Sequence, residues 1–386
     1  MNQVQSAGPV FREIFGRDAA AVARAPGRVE FIGNHTDYNG GAVLGAAIDR
    51  HVTVAAAAND DGRMRLFTHG APAPIELTAR AAGHRLTGRE SWAGYPLGVW
   101  SALGDFQLPR PAGFDLLVAS DLPSGAGLSS SAALELATAL VLLKLAGCEG
   151  ADPATLAKVG RHAENHYVGV PCGILDQGTI AHARRGHLVR IDCRGPDFSL
   201  VPFPAGAALW VFNTREKHAL VDGLYATRHR ECRAAAQALG VEKLCDLAPA
   251  RLEPRLTGLA PELARRARHV VNEHARVRLA GEALARGDLA ATGRLLLASH
   301  RSSQRDFENS TPALDALVDA LEPTPGVYGA RLTGGGFGGA VMALAAPVFG
   351  AEAARAISER QAQASGLQPE ILQLHVSDGA RLVNAG

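Results

Sequence analysis

The spacing of apolar residues changes several times along the chain, and each change marks a segment. From 20 to 57, small and apolar residues run almost unbroken around a turn at Asn39-Gly40-Gly41, and a β-branched run, Val52–Val54, follows the turn. This pattern predicts a sheet that contains a hairpin. FDLLVA at 114–119 predicts a short strand ending at Asp121-Leu122-Pro123. The small-residue loop Ser124-Gly125-Ala126-Gly127 then leads into an Ala/Leu-rich run, 132–146, that predicts a buried helix; Glu135 and Lys144 within it argue against a membrane span. A polar helix at 161–166, a break at Pro171 and Gly173, and a strand at 187–193 follow. Loop-like residues 202–206 precede the strand ALWVF, and the domain boundary is expected there, giving 1–203 and 204–386.

The second half reads as mostly helical. Residues 225–240, 260–286 and 288–299 carry apolar side chains at helical spacing with Arg and Glu between them. Strands then flank a glycine cluster at 330–340, and a helix and a strand close the chain. No long repeat and no low-complexity tail interrupts this order.

Composition narrows the class. The 386 residues suffice for two to three domains, and 39 Lys plus Arg against 38 Asp plus Glu leave a net charge of +1. Neither nucleic acid nor an anionic membrane is then an expected partner. The hydrophobic share of 47% excludes disorder as the main state, and the 5% aromatic share is thin for base stacking. Five widely spaced cysteines without a Cys-x-x-Cys pair predict no disulfide framework and no zinc site. With no signal-peptide pattern at the N-terminus, a cytoplasmic location is expected.

Four segments stand out chemically. Gly125-Ala-Gly-Leu-Ser-Ser-Ser131 combines small residues, hydroxyls and a helix start, which suits a phosphate cradle; it is neither a Walker loop nor a dinucleotide fingerprint. The alternative is a glycine turn with one serine as N-cap. Gly334-Gly-Gly-Phe-Gly-Gly339 gives up chain entropy, so it serves a close backbone approach or acts as a hinge. Arg28 followed by Asn34, His35, Thr36, Asp37 and Tyr38 gathers donors and acceptors suited to a polyhydroxylated ligand, or else forms a solvated turn. Glu164 and Asp176, the latter read as preceding an apolar strand, are candidate base or metal ligand, though single carboxylates are usually solvated or ion-paired.

In this order the blocks resemble the GHMP small-molecule kinases and, within them, the galactokinase family. The resemblance rests on 27–39, on 125–135, on Cys-Gly-Ile-Leu-Asp-Gln at 172–177, on 187–194, on Tyr225-x-x-Arg-x-x-Glu-Cys232, on Ser299-His300 and on 331–339, and so spans nearly the whole chain. It implies an α+β fold of two domains, N-terminal ribosomal-protein-S5-like and C-terminal ferredoxin-like, with the site between them. It further implies ATP and Mg²⁺. Gly125, Ala126, Gly127, Leu128, Ser129, Ser130 and Ser131 would cradle the triphosphate, with Gly335 and Gly336 closing over it. Ser131 and Glu164 would hold the metal. Asp176 would face the anomeric hydroxyl and accept its proton late, since a carboxylate beside an arginine is a weak base, and Arg28 would stabilise the transferring phosphoryl group. Asn34, His35, Thr36, Asp37, Gly173 and Tyr225 would contact the sugar.

One position departs from the family pattern: Asn34 stands where galactokinases carry a glutamate that reads a sugar hydroxyl at C6. A neutral amide would tolerate a C6 carboxylate, so galacturonate joins N-acetylgalactosamine and arabinose as alternatives to galactose. The expected activity is phosphorylation of a sugar, galactose by default, at its C1 hydroxyl. A non-catalytic sugar and ATP sensor is the competing class, which the intact Arg28, Ser131, Glu164 and Asp176 disfavour. No nucleic acid or membrane is expected as partner, and a monomer is favoured.

Overall fold

The computed structural model describes residues 7–78, 86–123, 125–148, 150–170, 172–216 and 221–384. Ser124 and Pro171, placed above in a loop and at a break, lie outside the described residues. The long apolar stretch becomes two paired strands, Ala21–Ile32 and Ala42–Asn59, antiparallel to one another. Gly113–Ser120 joins the free edge of Ala42–Asn59, and Arg63–Thr68 lies parallel to it with Ile75–Thr78 outermost. A second pair, His187–Asp192 and Asp197–Pro202, attaches to the other end of Ala42–Asn59.

Why this stretch reads as unbroken apolar sequence is visible in its burial. Val54 and Ala56 enter the main core under the helix Ser130–Leu145, whereas Ala55 and Ala57 face a separate cluster with Phe11 of the helix Ala7–Phe15. Alternate residues point to opposite faces, and both faces are covered, so both sets are apolar.

The second sheet runs Glu370–Leu374, Ala208–Asn213, Ala340–Ala345, Val327–Thr333, all antiparallel. Here Leu209 and Val211 join the main core, while Trp210 and Phe212 pack beneath the helices Pro312–Leu321 and Ala351–Ser365. The main core therefore continues from one sheet to the other through Val277, Ala280 and Leu284 of the helix Pro261–Ala285. The chain finally returns to the first sheet: Arg381–Val383 pairs with Ala21–Ile32, and Val376 bridges to Ile48. The expected helices at 225–240, 260–286 and 288–299 are realised as Val221–Ala238, Pro261–Ala285 and Leu289–Ser302. Among the described residues, no helix is long and apolar enough to cross a membrane.

Candidate functional site

Arg28 leaves the strand Ala21–Ile32 just after a bulge and meets Asp176 from a sequence distance of 148 residues. Its Nε donates to Asp176 Oδ1 at 2.7 Å, its Nη2 lies 2.6 Å from the same oxygen, and its Nη1 donates to the Gly127 carbonyl at 2.6 Å. Asp176 does not precede a strand as expected; it lies in the first turn of the helix Leu175–His182. Residues 174–180, Ile-Leu-Asp-Gln-Gly-Thr-Ile, carry too few apolar positions for periodicity to separate the two structures.

Ser129 engages the other carboxylate oxygen, its hydroxyl donating to Asp176 Oδ2. It stands at the head of the helix Ser130–Leu145 but makes no capping bond, and its φ of 57° is left-handed. The serine N-cap alternative is thereby excluded. Gly125 and Gly127 also have positive φ, so every second residue of the loop is left-handed. Ala126 and Leu128 anchor the loop in the core, which leaves Gly125, Gly127 and Ser130 facing outward above a helix N-terminus.

Beside this loop, Glu164 sits in a π-helical segment, Ala163–Val168, of the kind that often marks a functional position. It accepts hydrogen bonds from Gln177 Nε2 at 2.7 Å, from the Cys172 thiol at 3.3 Å and from the Ser131 hydroxyl. Burial and the nearby Asp176 push its carboxyl upward. Behind it, fully buried Glu135 accepts from the same Gln177 nitrogen at 2.9 Å, and burial raises its carboxyl far above the usual range. The described residues contain no cluster of three or more His, Cys, Asp or Glu able to cage a metal. Mg²⁺ needs no such cage, because it keeps waters and substrate phosphates as ligands. One hard carboxylate paired with one hydroxyl, near a second carboxylate whose charge a cation would offset, fits Mg²⁺.

The 33–39 loop forms the opposite wall. Asp37 lines the cleft and lies against Gly173, where an added Cβ would come within 1.6 Å of Asp37 Oδ2. Burial first, and the charges of Glu30 and Asp176 next, push Asp37 up to about 6 against the backbone N–H of Tyr38 and Arg161. His35 is committed on both nitrogens: Nε2–H donates to the Gly335 carbonyl at 2.9 Å, and Nδ1 accepts from the Tyr38 hydroxyl at 2.8 Å. Burial holds it neutral, down to about 3. The Tyr225 ring packs 5.0 Å from the His35 ring and covers Gly335.

Like His35, two more of the expected sugar contacts present no free polar side-chain group to the cleft. Thr36 is fully buried and turns its hydroxyl onto the carbonyls of Gly33 and Ala42 at 2.8 and 2.7 Å, which closes the loop. Asn34 borders the cleft, but its amide bonds to Glu30, Gly334 and Asn309. Gly335 and Gly336, expected over the nucleotide, also serve this wall. The Gly335 carbonyl accepts from His35 and Asn309, and a Cβ on Gly336 would meet the Asn309 carbonyl at 2.3 Å. A Cβ on Gly334 would have the Gly127 carbonyl at 3.7 Å, so the two glycine-rich loops adjoin.

Sequence reasoning passed over Glu30, Asn309, Arg331 and Glu273. Glu30 was signalled by its place two residues after Arg28 on one strand, hence on the same face. Asn309 carried no local signal, and Arg331 headed the 331–339 block without a role assigned to it. Glu273, on the helix Pro261–Ala285, accepts from the Gly33 and Asn34 backbone N–H groups at 3.1 and 3.2 Å and from Ser299 at 2.6 Å. Burial opposes its charge, yet Arg276, His269 and Arg331 bring it down to about 2. Of the groups described, Glu30 joins Arg28, Asp176, Glu164, Asp37 and Tyr225 in lining a cleft of about 480 Å³, while Asn309, Arg331 and Glu273 stand behind its wall. A wider cavity of about 1020 Å³ adjoins it through Asp37, Gly173 and Tyr225.

Known proteins share this arrangement. The galactokinase galactose-binding signature matches residues 9–58, the N-terminal domain of GHMP kinases matches 95–184, and their C-terminal domain matches 281–363. The chain is 41% identical to a galactokinase of Homo sapiens over 355 residues, 90% of each protein. It is 38% identical to a galactokinase of Pasteurella multocida (strain Pm70) over 387 residues, 98% of this chain and 99% of that protein. The crystal structure of Lactococcus lactis galactokinase complexed with galactose superposes with a TM-score of 0.91 at 31% identity, over 98% of this chain and 99% of that one. On these matches, and with its two adjoining glycine loops beside the Arg28–Asp176 pair, the chain belongs to the galactokinase family of the GHMP kinases.

Proposed function

We infer that this chain transfers the γ-phosphoryl group of ATP to the C1 hydroxyl of galactose and releases ADP and galactose 1-phosphate. The observation that carries the reading is Asp176 held by Arg28 and Ser129 at the edge of the cleft that also contains Asp37 and Tyr225. The family relatives favour galactose over the uronic acid, N-acetylgalactosamine and arabinose alternatives, and an enzyme over a sensor.

In this reading Asp37 accepts sugar hydroxyls and Tyr225 forms an apolar wall for the ring. Asp176 takes the C1 proton as the O–P bond forms and the bond from the γ-phosphorus to the bridging oxygen of ADP breaks. A carboxylate is a far weaker base than an alkoxide, so the proton arrives late, when the sugar oxygen has already acidified through bonding to phosphorus. Arg28 fixes one carboxylate oxygen and Ser129 the other, so the base needs no reorientation during transfer. The positive charge of Arg28 also lies beside the position where phosphoryl charge gathers. The Gly125–Ser131 backbone receives the phosphates. Ser131 and Glu164 would hold Mg²⁺, which when bound neutralises charge on the phosphate oxygens. A monomer acting in the cytoplasm is the finer part of this reading, and five free cysteines accord with a reducing compartment.

The test is product formation from Mg·ATP over galactose, galacturonate, N-acetylgalactosamine, arabinose and glucose, with Asp176→Asn as control. Galactose 1-phosphate as the main product, lost in the variant, is expected. Galactose binding without turnover would overturn the reading.

A further inference from the structure

We propose that Glu30, rather than residue 34, is the side chain that reads a hydroxyl of the sugar, and that Asn34 serves to hold Glu30 in position. This inference rests on the galactose-kinase reading above. Asn34 is fully buried, and its amide has no capacity left for a ligand. Its Nδ2 donates to Glu30 Oε1 at 3.0 Å and to the Gly334 carbonyl at 2.8 Å. Its Oδ1 accepts from Asn309 Nδ2 at 2.7 Å and from the Ser303 hydroxyl at 3.5 Å. An amide offers two donors and one oxygen with two lone pairs, and all are engaged.

Glu30 differs in one respect that matters. Strand alternation places it on the face of Arg28, with regular pairing from one to the other, and both side chains line the cleft. Asn34 and Arg331 both bond to its Oε1, Arg331 Nη2 at 3.1 Å. Among the described residues its Oε2 has no hydrogen-bond partner, yet it is not a sealed-off buried atom. The carboxylate is thus clamped through one oxygen while the other opens to the cleft.

The chemistry of the reader follows. A carboxylate only accepts, and a sugar hydroxyl donates, so the pairing is directional and an analogue lacking that hydroxyl leaves the acceptor unmet. The same group disfavours a carboxylate on the sugar. The tolerance of a uronic acid expected from Asn34 is therefore withdrawn: the amide at 34 does not make this wall neutral, because Glu30 supplies the negative charge beside it.

The test is steady-state kinetics of the full chain with galactose, its 2-, 3-, 4- and 6-deoxy analogues and galacturonate. Glu30→Gln is expected to raise the galactose KM about tenfold or more while kcat stays within about threefold. It should lose nothing on the one deoxy analogue that lacks the hydroxyl in question. Equal losses on galactose and all four analogues, or no loss on any, would overturn the proposal, as would native turnover of galacturonate matching galactose. Because Glu30→Gln also removes the partner of buried Arg331, Glu30→Asp provides a second reading. It keeps the charge but withdraws the oxygen by one methylene, so the same selective loss is expected, and a KM within about twofold of native overturns the assignment. Failure of the native chain to phosphorylate galactose would sink the parent reading; native turnover with indifferent Glu30 variants would sink this one alone.

Discussion

Gly173 and Asp37 occupy the same small space: a Cβ on Gly173 would lie 1.6 Å from Asp37 Oδ2 and 2.5 Å from its Cγ. The backbone conformation of Gly173 is not left-handed, so an alanine is excluded by this contact rather than by strain. Gly173→Ala is expected to displace the carboxylate, raising the galactose KM about tenfold or more with the ATP KM changed less than about twofold. Parallel shifts in both constants would mean that the loop as a whole had moved.

The charge on Asp37 sets the acid side of the activity profile. Its value of about 6 lies above the ordinary 3.8, so the carboxylate proposed to accept sugar hydroxyls is protonated as pH falls through about 6. The kcat/KM for sugar should fall there, and Asp37→Asn should flatten that limb along with the activity. Stability runs the other way. A carboxyl with a raised folded value adds stability fully below about 3.8, and this contribution is lost as pH rises through about 6. Melting curves between pH 7 and pH 5 of native chain and Asp37→Asn should differ in that direction; identical pH slopes would contradict the assignment.

The parts of this site that were legible in the sequence are those whose residue types are costly without a purpose. The loop from Gly125 to Ser131 and the glycines from 334 to 339 stood out for that reason, as did the polar cluster after Arg28. What those residues do with their side chains was less legible. Ser129 looked like a cap or a phosphate ligand, and its hydroxyl instead bonds to Asp176. Thr36 looked like a sugar contact, and it closes its own loop. Asn34 looked like a substitution that changes specificity, because sequence alone does not report that Glu30 lies within hydrogen-bonding distance of it. Glu273 was invisible for a further reason: the Gly33 and Asn34 amides it accepts from lie 240 and 239 residues away, and Arg331, though it heads a quoted block, pairs with Glu30 across 301 residues, a pairing that no local pattern encodes.

Glu273 ties the helical half of the chain to the sugar-side loop. Glu273→Gln keeps the shape but leaves Arg276 without its ion-pair partner and Arg331 with Glu30 alone as buried countercharge. Removing one member of a buried charge cluster typically costs about 3 kcal/mol or more. Urea unfolding should register that loss at neutral pH. Since the folded value lies below the ordinary 4.5, the native contribution is present above that value and is lost as pH falls through about 2, so the gap between native and variant should close in acid.

Arg28→Lys separates charge from geometry. Lysine keeps one positive charge but lacks the planar fork that meets Asp176 through two nitrogens and Gly127 through a third. Loss of transition-state charge placement by an arginine in phosphoryl transfer is worth about 10³-fold or more. The expected result is a kcat lower by that order with the galactose KM nearly unchanged. A variant that retained more than about a tenth of native kcat would show that charge alone suffices.

Glu164 gives the sharpest contrast between stability and function. Burial and Asp176 raise its carboxyl, so in the metal-free protein its ionised form is held at a cost to the fold. Its contribution is favourable in acid and is lost as pH rises through its raised folded value, which makes Glu164→Gln stabilising at pH 8 when no Mg²⁺ is present. The same amide is a poor ligand for a hard divalent cation. The Mg²⁺ concentration needed for half-maximal turnover should therefore rise about tenfold or more, while binding of galactose alone stays within about twofold. The two measurements move in opposite senses only if Glu164 is a ligand kept in an unfavourable place for the sake of the cation. A variant less stable than native without metal, and unchanged in its Mg²⁺ requirement, would instead make Glu164 a structural acceptor for Gln177 and Cys172.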